Sequence, residues 1–281
     1  MAAAALAVVA SMLAACGADV LHRASISDGR KVEYSRYGRG RPAIVFLSGL
    51  GNTMDTWKSV YWNVRGMSTV VIYNRLGYGR STKSREPRTA ERIVAELREF
   101  LPAAGYEPPY LLVAHSAGGL YALYYAKAHP EEIAGMVLVD ASHWEQAEFL
   151  KNQDPKKDFL TSVLSAVGSV AMLFVDTGMA KEEFAALEES SRQVVEAGPF
   201  PDVPLVVISG TKHGSTGPIS EERWQAWQQE LVALSPQGKL VLATKSGHFV
   251  QNKEPGLIVQ AIKDVYAEAA ASGPSKSKEE K

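Results

Sequence analysis

Ala114-His115-Ser116-Ala117-Gly118-Gly119 lies between the apolar run Tyr110-Leu111-Leu112-Val113 and the helix-like Leu120-Tyr121-Ala122-Leu123-Tyr124-Tyr125-Ala126. A serine on a sharp strand-to-helix turn needs small residues two places to either side, because the backbone there is strained and closely packed, and Ala114 and Gly118 meet that need. Such a turn lifts Ser116 to the rim of a sheet as a candidate nucleophile. It also sets the Ala117 N–H at a helix N-terminus, where unpaired donors and the helix dipole favour a developing oxyanion. A serine hydroxyl is a weak nucleophile without a base. A histidine that could serve, His248, comes late in the chain in Lys245-Ser246-Gly247-His248-Phe249-Val250, in a loop expected just beyond a strand.

The elements that must position these groups are visible as apolar runs. Ala43-Ile44-Val45-Phe46-Leu47, Thr69-Val70-Val71-Ile72-Tyr73, Tyr110 to His115, Gly135 to Val139, Val203 to Ile208 and Leu240 to Ala243 read as strands covered on both faces. Residues 20–37, around the turn Ser27-Asp28-Gly29-Arg30, suggest two antiparallel edge strands. Three-to-four spacing predicts a helix over 90–101, stopping before Pro102, another through Trp224 and Trp227, and a closing helix over 255–271. Strand and helix alternate as in an α/β protein with a mostly parallel central sheet flanked by helices. The alternation breaks over 144–200, where amphipathic stretches at 159–173 and 181–195 come without a strand, as in an inserted helical cap.

The expected organisation is therefore a leader over 1–19, a core in two parts over 20–143 and 201–271, the cap between them, and a small, charged, disordered tail over 272–281. The 281 residues are 46% hydrophobic, enough for one substantial core. With 30 basic and 31 acidic residues the formal net charge is −1, which gives no global field to attract nucleic acid. A single cysteine, Cys16, excludes an intramolecular disulfide and a metal site built on several thiolates. The first fifteen residues are small and apolar, too short to span a bilayer, and resemble a signal h-region. Leu13-Ala14-Ala15-Cys16-Gly17 resembles a bacterial lipobox, although no Lys or Arg precedes it. That implies lipidation of Cys16, membrane attachment through it, and residence in a bacterial cell envelope, lipid-anchored or secreted; the alternative is a disordered Ala-rich leader on a cytoplasmic enzyme.

Several motifs in order resemble the α/β-hydrolase superfamily over the chain after residue 20. They are Phe46-Leu47-Ser48-Gly49-Leu50-Gly51, similar to the family's oxyanion loop, Tyr73-Asn74-Arg75-Leu76-Gly77-Tyr78-Gly79-Arg80-Ser81, similar to its glycine-rich loop, the Ser116 turn and the His248 segment. Ser48 stands where many members have His, and Asn74 where many have Asp. The resemblance implies Ser116 as nucleophile, His248 as base and then acid, and the Leu50 and Ala117 amides as the oxyanion hole. Many members carry the acid after the strand at 203–208, but in this chain that loop reads Ser209-Gly210-Thr211-Lys212-His213-Gly214. Asp140, at the end of Met136-Val137-Leu138-Val139-Asp140, reaches the same rim as Ser116 and is the first choice, with Glu221 and Glu222 as alternatives. Ser220 would cap the helix that those two glutamates open.

The resemblance implies a serine hydrolase that cleaves an ester or related acyl bond in a small molecule, of the carboxylesterase kind, with no metal or organic cofactor. Serine in place of an aspartate nucleophile disfavours dehalogenase and epoxide-opening chemistry. Ser48, Gly49, His143 and Trp144 are candidate substrate-binding residues, and His213 a further candidate contact. Trp144, Phe149, Phe159, Leu160, Met172, Leu173, Phe174 and Met179 of the cap could line an apolar acyl pocket. The competing class is a non-catalytic envelope lipoprotein that binds a small apolar ligand in the same pocket.

Overall fold

Aliphatic runs form strands in this chain because helices cover both faces of the sheet they build, so neither side of the run meets water. A computed structural model describes residues 20–153, 178–214 and 219–271. The leader with Cys16, the expected helix at 159–173 with the candidates Phe159, Leu160, Met172 and Leu173, the adjacent Phe174, and the tail over 272–281 lie outside the described residues. Eight strands make one sheet: β1 (Leu21–Ser25), β2 (Lys31–Tyr37), β3 (Ala43–Leu47), β4 (Val70–Tyr73), β5 (Tyr110–His115), β6 (Ile133–Val139), β7 (Leu205–Gly210) and β8 (Gly238–Ala243). Their order across the sheet is β1-β2-β4-β3-β5-β6-β7-β8. The β1–β2 and β2–β4 pairs are antiparallel and every other pair is parallel.

The described helices are α1 (Lys58–Val64), α2 (Ala90–Ala103), α3 (Ala117–Ala128), α4 (Gln146–Gln153), α5 (Met179–Ala185), α6 (Leu187–Glu196), α7 (Glu221–Val232), α8 (Val250–Lys253) and α9 (Pro255–Ala271). Alternate strand residues divide between two apolar layers. Ile44, Phe46, Val113, Val137 and Ile208 pack with Trp57 and Tyr61 near and on α1 and with Ile258 and Ile262 of α9. Val45, Leu47, Leu112, Leu138 and Val207 face the other way, toward Leu97 of α2, Leu120 of α3, Val194 of α6 and Leu231 of α7. Period-two alternation thus feeds two cores at once.

Strand bounds differ from the sequence expectation by one or two residues, with β4 starting at Val70, β6 at Ile133 and β8 at Gly238 and β7 spanning Leu205–Gly210, and two helical stretches differ as well. Helix α2 runs through Pro102 to Ala103, because a proline in the last turn forfeits only one intrahelical bond and no further turn follows it. The stretch 181–195 is broken at Ala186 (φ −94°, ψ 2°) into α5 and α6. Among the described residues, the segment between β6 and β7 contains helices and no strand. It is tied to the body: Ser190 Oγ accepts from the Ala90 amide at 3.0 Å and the Gln193 side chain from the Glu91 amide at 2.9 Å, so α6 satisfies two orphan donors at the start of α2. Among the described residues no helix is long and apolar enough to cross a membrane.

Candidate active site

Ser116 sits between β5 and α3 with φ 54° and ψ −128°, a conformation few non-glycine residues adopt. The turn is fixed from both sides: the Ser116 amide donates to Val139 O at 3.3 Å, and Ser116 O accepts from the Gly119 and Ser142 amides at 2.8 and 3.1 Å. Gly118 has no room for a side chain, since a Cβ there would lie 2.6 Å from Leu47 O. That close approach brings the loop after β3 against the Ser116 turn. Gly49 lies at the same contact, where an added Cβ would stand 3.0 Å from both Ser116 Cβ and His115 Nδ1. Among the described residues no backbone acceptor pairs with the amides of Leu50 or Ala117.

His248, in the loop between β8 and α8, reaches Ser116 Oγ with Nε2 at 2.9 Å and Asp140 Oδ2 with Nδ1 at 2.8 Å. A carboxylate only accepts, so Nδ1 carries the proton and Nε2 is left to accept from the serine hydroxyl. That is the tautomer a general base needs. The loops after β7 and β8 meet closely: a Cβ on Gly210 would lie 2.4 Å from Gly247 O, and one on Gly247 2.4 Å from Lys212 O. The Thr211 and Lys212 amides both donate to Ser246 O, at 2.9 and 3.0 Å.

Asp140, fully buried at the end of β6 with φ 43°, has four donors for its four acceptor positions. Oδ1 accepts from the Gly210 amide and from Trp224 Nε1, both at 2.9 Å. Oδ2 lies 2.8 Å from His248 Nδ1 and 2.8 Å from His213 Nε2. Burial opposes its ionisation, but the hydrogen bonds and charges of His213 and His248 outweigh burial and hold the carboxyl down at about 2. His213 also directs Nδ1 at Glu221 Oε2, 3.0 Å away. Burial works against its charge too, yet bonds to Asp140 and Glu221 raise it to about 9, so it is an imidazolium donating at both nitrogens. His115, wholly buried on β5, is held neutral by burial and by His248, at about 3. Its Nε2 lies 2.8 Å from His248 O and must carry the proton, since a carbonyl only accepts.

The other sequence candidates fall in different places. Ser48 Oγ donates to Thr53 O at 3.1 Å, inside its own loop. His143, offered as a substrate contact, is 0% exposed, with its ring 3.8 Å from that of Trp144 and 5.5 Å from that of Trp227. Its aromatic neighbours enclose it, and burial keeps it neutral, at about 3. Trp144 is half-buried against it. His213, a candidate contact, bonds Asp140 and Glu221 with its two ring nitrogens. Glu221 reaches His213 rather than His248, and Glu222 is exposed at the start of α7, where Ser220 Oγ accepts from the Arg223 amide at 3.2 Å.

Sequence reasoning did not foresee Trp224 and His213 as Asp140's partners, nor the buried pair of Arg75 and Glu183. A histidine standing where a carboxylate was expected was the one local signal for His213.

The chain has relatives of known fold. The profile of the alpha/beta hydrolase fold matches residues 42–169. The protein YqjL of Bacillus subtilis is 31% identical over 235 residues, which span 83% of this chain and 87% of that one. Among solved structures, the enol-lactonase of Burkholderia xenovorans LB400 superposes with a TM-score of 0.67 at 17% identity, over 88% of this chain and 100% of that one. The haloalkane dehalogenase DbeA of Bradyrhizobium elkani USDA94 gives 0.67 at 16% identity, over 91% and 100%. The extent of the match to YqjL, the fold profile over β3 to β6 and the shared fold together make this chain a member of the α/β-hydrolase superfamily.

Proposed function

We propose that the chain is a serine hydrolase that cleaves an ester or related acyl bond in a small molecule through an acyl-enzyme, in the manner of a carboxylesterase. Ser116 Oγ attacks the acyl carbon while His248 Nε2 takes its proton. The tetrahedral oxyanion is received by the Leu50 and Ala117 amides, each donor contributing roughly 3 kcal/mol at the transition state. His248 then returns the proton to the leaving group, and a water activated by the same imidazole releases the acyl group. Asp140 keeps the proton on Nδ1 and stabilises the imidazolium as it forms.

The observation that carries this is the continuous path from Ser116 Oγ to His248 at 2.9 Å and from His248 to Asp140 at 2.8 Å, starting from a serine held at positive φ. A hydroxyl at this turn forms an ester with an acyl group. The alkyl-ester intermediate of dehalogenase or epoxide-opening chemistry calls for a carboxylate there, which supports the acyl branch.

The test is an alkyl fluorophosphonate probe, which phosphonylates an activated serine without requiring the natural substrate. Intact mass and peptide mapping of the full chain are expected to show one adduct, on Ser116, formed rapidly and lost in His248→Ala. A folded chain that takes no label would sink the proposal and favour the ligand-binding alternative.

A further inference from the structure

Arg75, in the loop after β4, is a buried cation at the centre of contacts that no local motif announces. Its Nε and Nη2 form a two-pronged pair with Glu183 of α5, at 2.8 Å to Oε1 and 2.9 Å to Oε2. The remaining donors grip the loop after β3, with Nη1 2.5 Å from Ser48 O and Nη2 2.9 Å from Gly49 O. Tyr78 adds a second arm: its hydroxyl donates to Glu183 Oε2 at 2.8 Å and accepts from the Gly51 amide at 3.3 Å. The guanidinium carbon also lies 4.9 Å from the centre of the Tyr78 ring and 5.4 Å from that of Tyr121. Glu183 has no exposed surface and Arg75 almost none.

These contacts bracket one residue. The Gly49 carbonyl and the Leu50 N–H belong to the same peptide unit, and in a planar trans peptide they point in opposite directions. Gly49 O, held by Arg75 and by the Asn52 amide at 3.2 Å, therefore fixes the direction of the Leu50 N–H. The next peptide is held as well, with Leu50 O accepting from Asn52 Nδ2 at 3.0 Å and the Gly51 N–H donating to Tyr78. A cation on the carbonyl also polarises that peptide and strengthens its N–H as a donor.

We infer that Arg75 is a positioning residue that aims the Leu50 amide at the oxyanion, and that Glu183 makes this aim depend on the docking of α5. The inference rests on the serine-hydrolase proposal. Glu183 is the anion that lets a guanidinium remain buried beneath the loop, because an unpaired buried charge is strongly unfavourable. Without α5 in place Arg75 has no reason to stay, and the loop loses its anchor.

The experiment separates positioning from simple structural support. Arg75→Met, Glu183→Leu and the double variant Arg75→Met/Glu183→Leu are made in the full chain and compared for Tm and for the rate of Ser116 labelling by the fluorophosphonate across pH. Either single variant loses both, since it strands or removes one half of the pair. The double variant strands no charge and recovers Tm toward wild type. Its limiting labelling rate stays about 100-fold or more below wild type, as for loss of an oxyanion donor, with the midpoint of the pH profile unmoved because His248 and Asp140 are untouched.

Recovery of the double variant's labelling to within about threefold of wild type would overturn the inference. Arg75→Lys covers the case in which the apolar variants do not fold. A lysine pairs with Glu183 as a point charge but lacks the fork that also reaches two carbonyls, so a fall of about tenfold or more is expected. Wild-type labelling by Arg75→Lys would also overturn it. A wild-type chain that takes no label fails the hydrolase proposal itself, whereas a labelled wild type with an equally reactive double variant fails this inference alone.

Discussion

His213 supplies a measurable link between the site's charges and the stability of the fold. Its partners Asp140 and Glu221 raise it from the ordinary 6.5 to about 9. A group held higher in the folded chain than in the unfolded one stabilises the fold fully below the unfolded value and loses that effect as pH climbs through the folded value. The stabilisation is thus complete below about pH 6.5 and fades through about pH 9. At about 1.4 kcal/mol per pH unit, the interval amounts to ~3 kcal/mol. The depression of Asp140 to about 2 reflects in part the same attraction, so the two are not added.

Replacing His213 by Gln keeps a donor beside Asp140 and removes the titration. Urea unfolding of the wild type and His213→Gln at about pH 6, 8 and 10 isolates the effect, because lysines and tyrosines titrate alike in both and cancel in the difference. The wild type's advantage over the variant is expected to shrink by ~3 kcal/mol from the lowest pH to the highest. An advantage constant to within about 0.5 kcal/mol across that range would show that folding does not raise His213 above its ordinary value, so that His213 is not an imidazolium on Asp140 at neutral pH.

Asp140→Asn is expected to lower kcat, or the labelling rate that stands in for it, by about 10⁴-fold, because an amide at this position favours the wrong His248 tautomer. It also sets an NH₂ against two of the four donors, so the loss should come with a lower Tm, and near-normal activity would remove Asp140 from the mechanism. The strained turn makes a separate prediction. Ser116→Gly and Ser116→Ala both lose the hydroxyl, but only Ala keeps a Cβ at φ 54°, so the glycine variant should be the more stable by about 1–2 kcal/mol. Equal melting temperatures for the two would show that the turn stores no such strain.

What the sequence made readable was what is decided locally. Strands β3 and β5 match the expected runs to the residue, because a segment buried on both faces must be apolar throughout and must stop where that burial stops. The Ser116 turn was readable for a related reason, since tight backbone packing demands small residues at fixed offsets. Asp140 could be placed only by asking which strand ends share a rim. His213 could not, because its position depends on Gly210 and Gly247 letting two loops touch. Arg75 and Glu183 stand 108 residues apart, and each alone is an ordinary charged residue in a loop or a helix. Nothing in either neighbourhood signals that the other will neutralise it.

The charges around Asp140 account for one another. A buried carboxylate at the end of β6 needs all of its acceptor positions filled, and the loop after β7 fills one of them with a histidine. That histidine is protonated, and an imidazolium on Oδ2 would by itself cancel the negative charge that His248 needs when it takes a proton from Ser116. Glu221 resolves the conflict by pairing with the far nitrogen of His213 at 3.0 Å. With Asp140 and Glu221 negative and His213 positive, the group carries one net negative charge before the proton moves and, counted together with His248, none after. His248 is therefore charged in surroundings that are negative rather than neutral, which lowers the energy of the ion pair formed in the proposed acyl transfer. The acid of this site is better regarded as a three-member unit, Asp140–His213–Glu221, than as Asp140 alone.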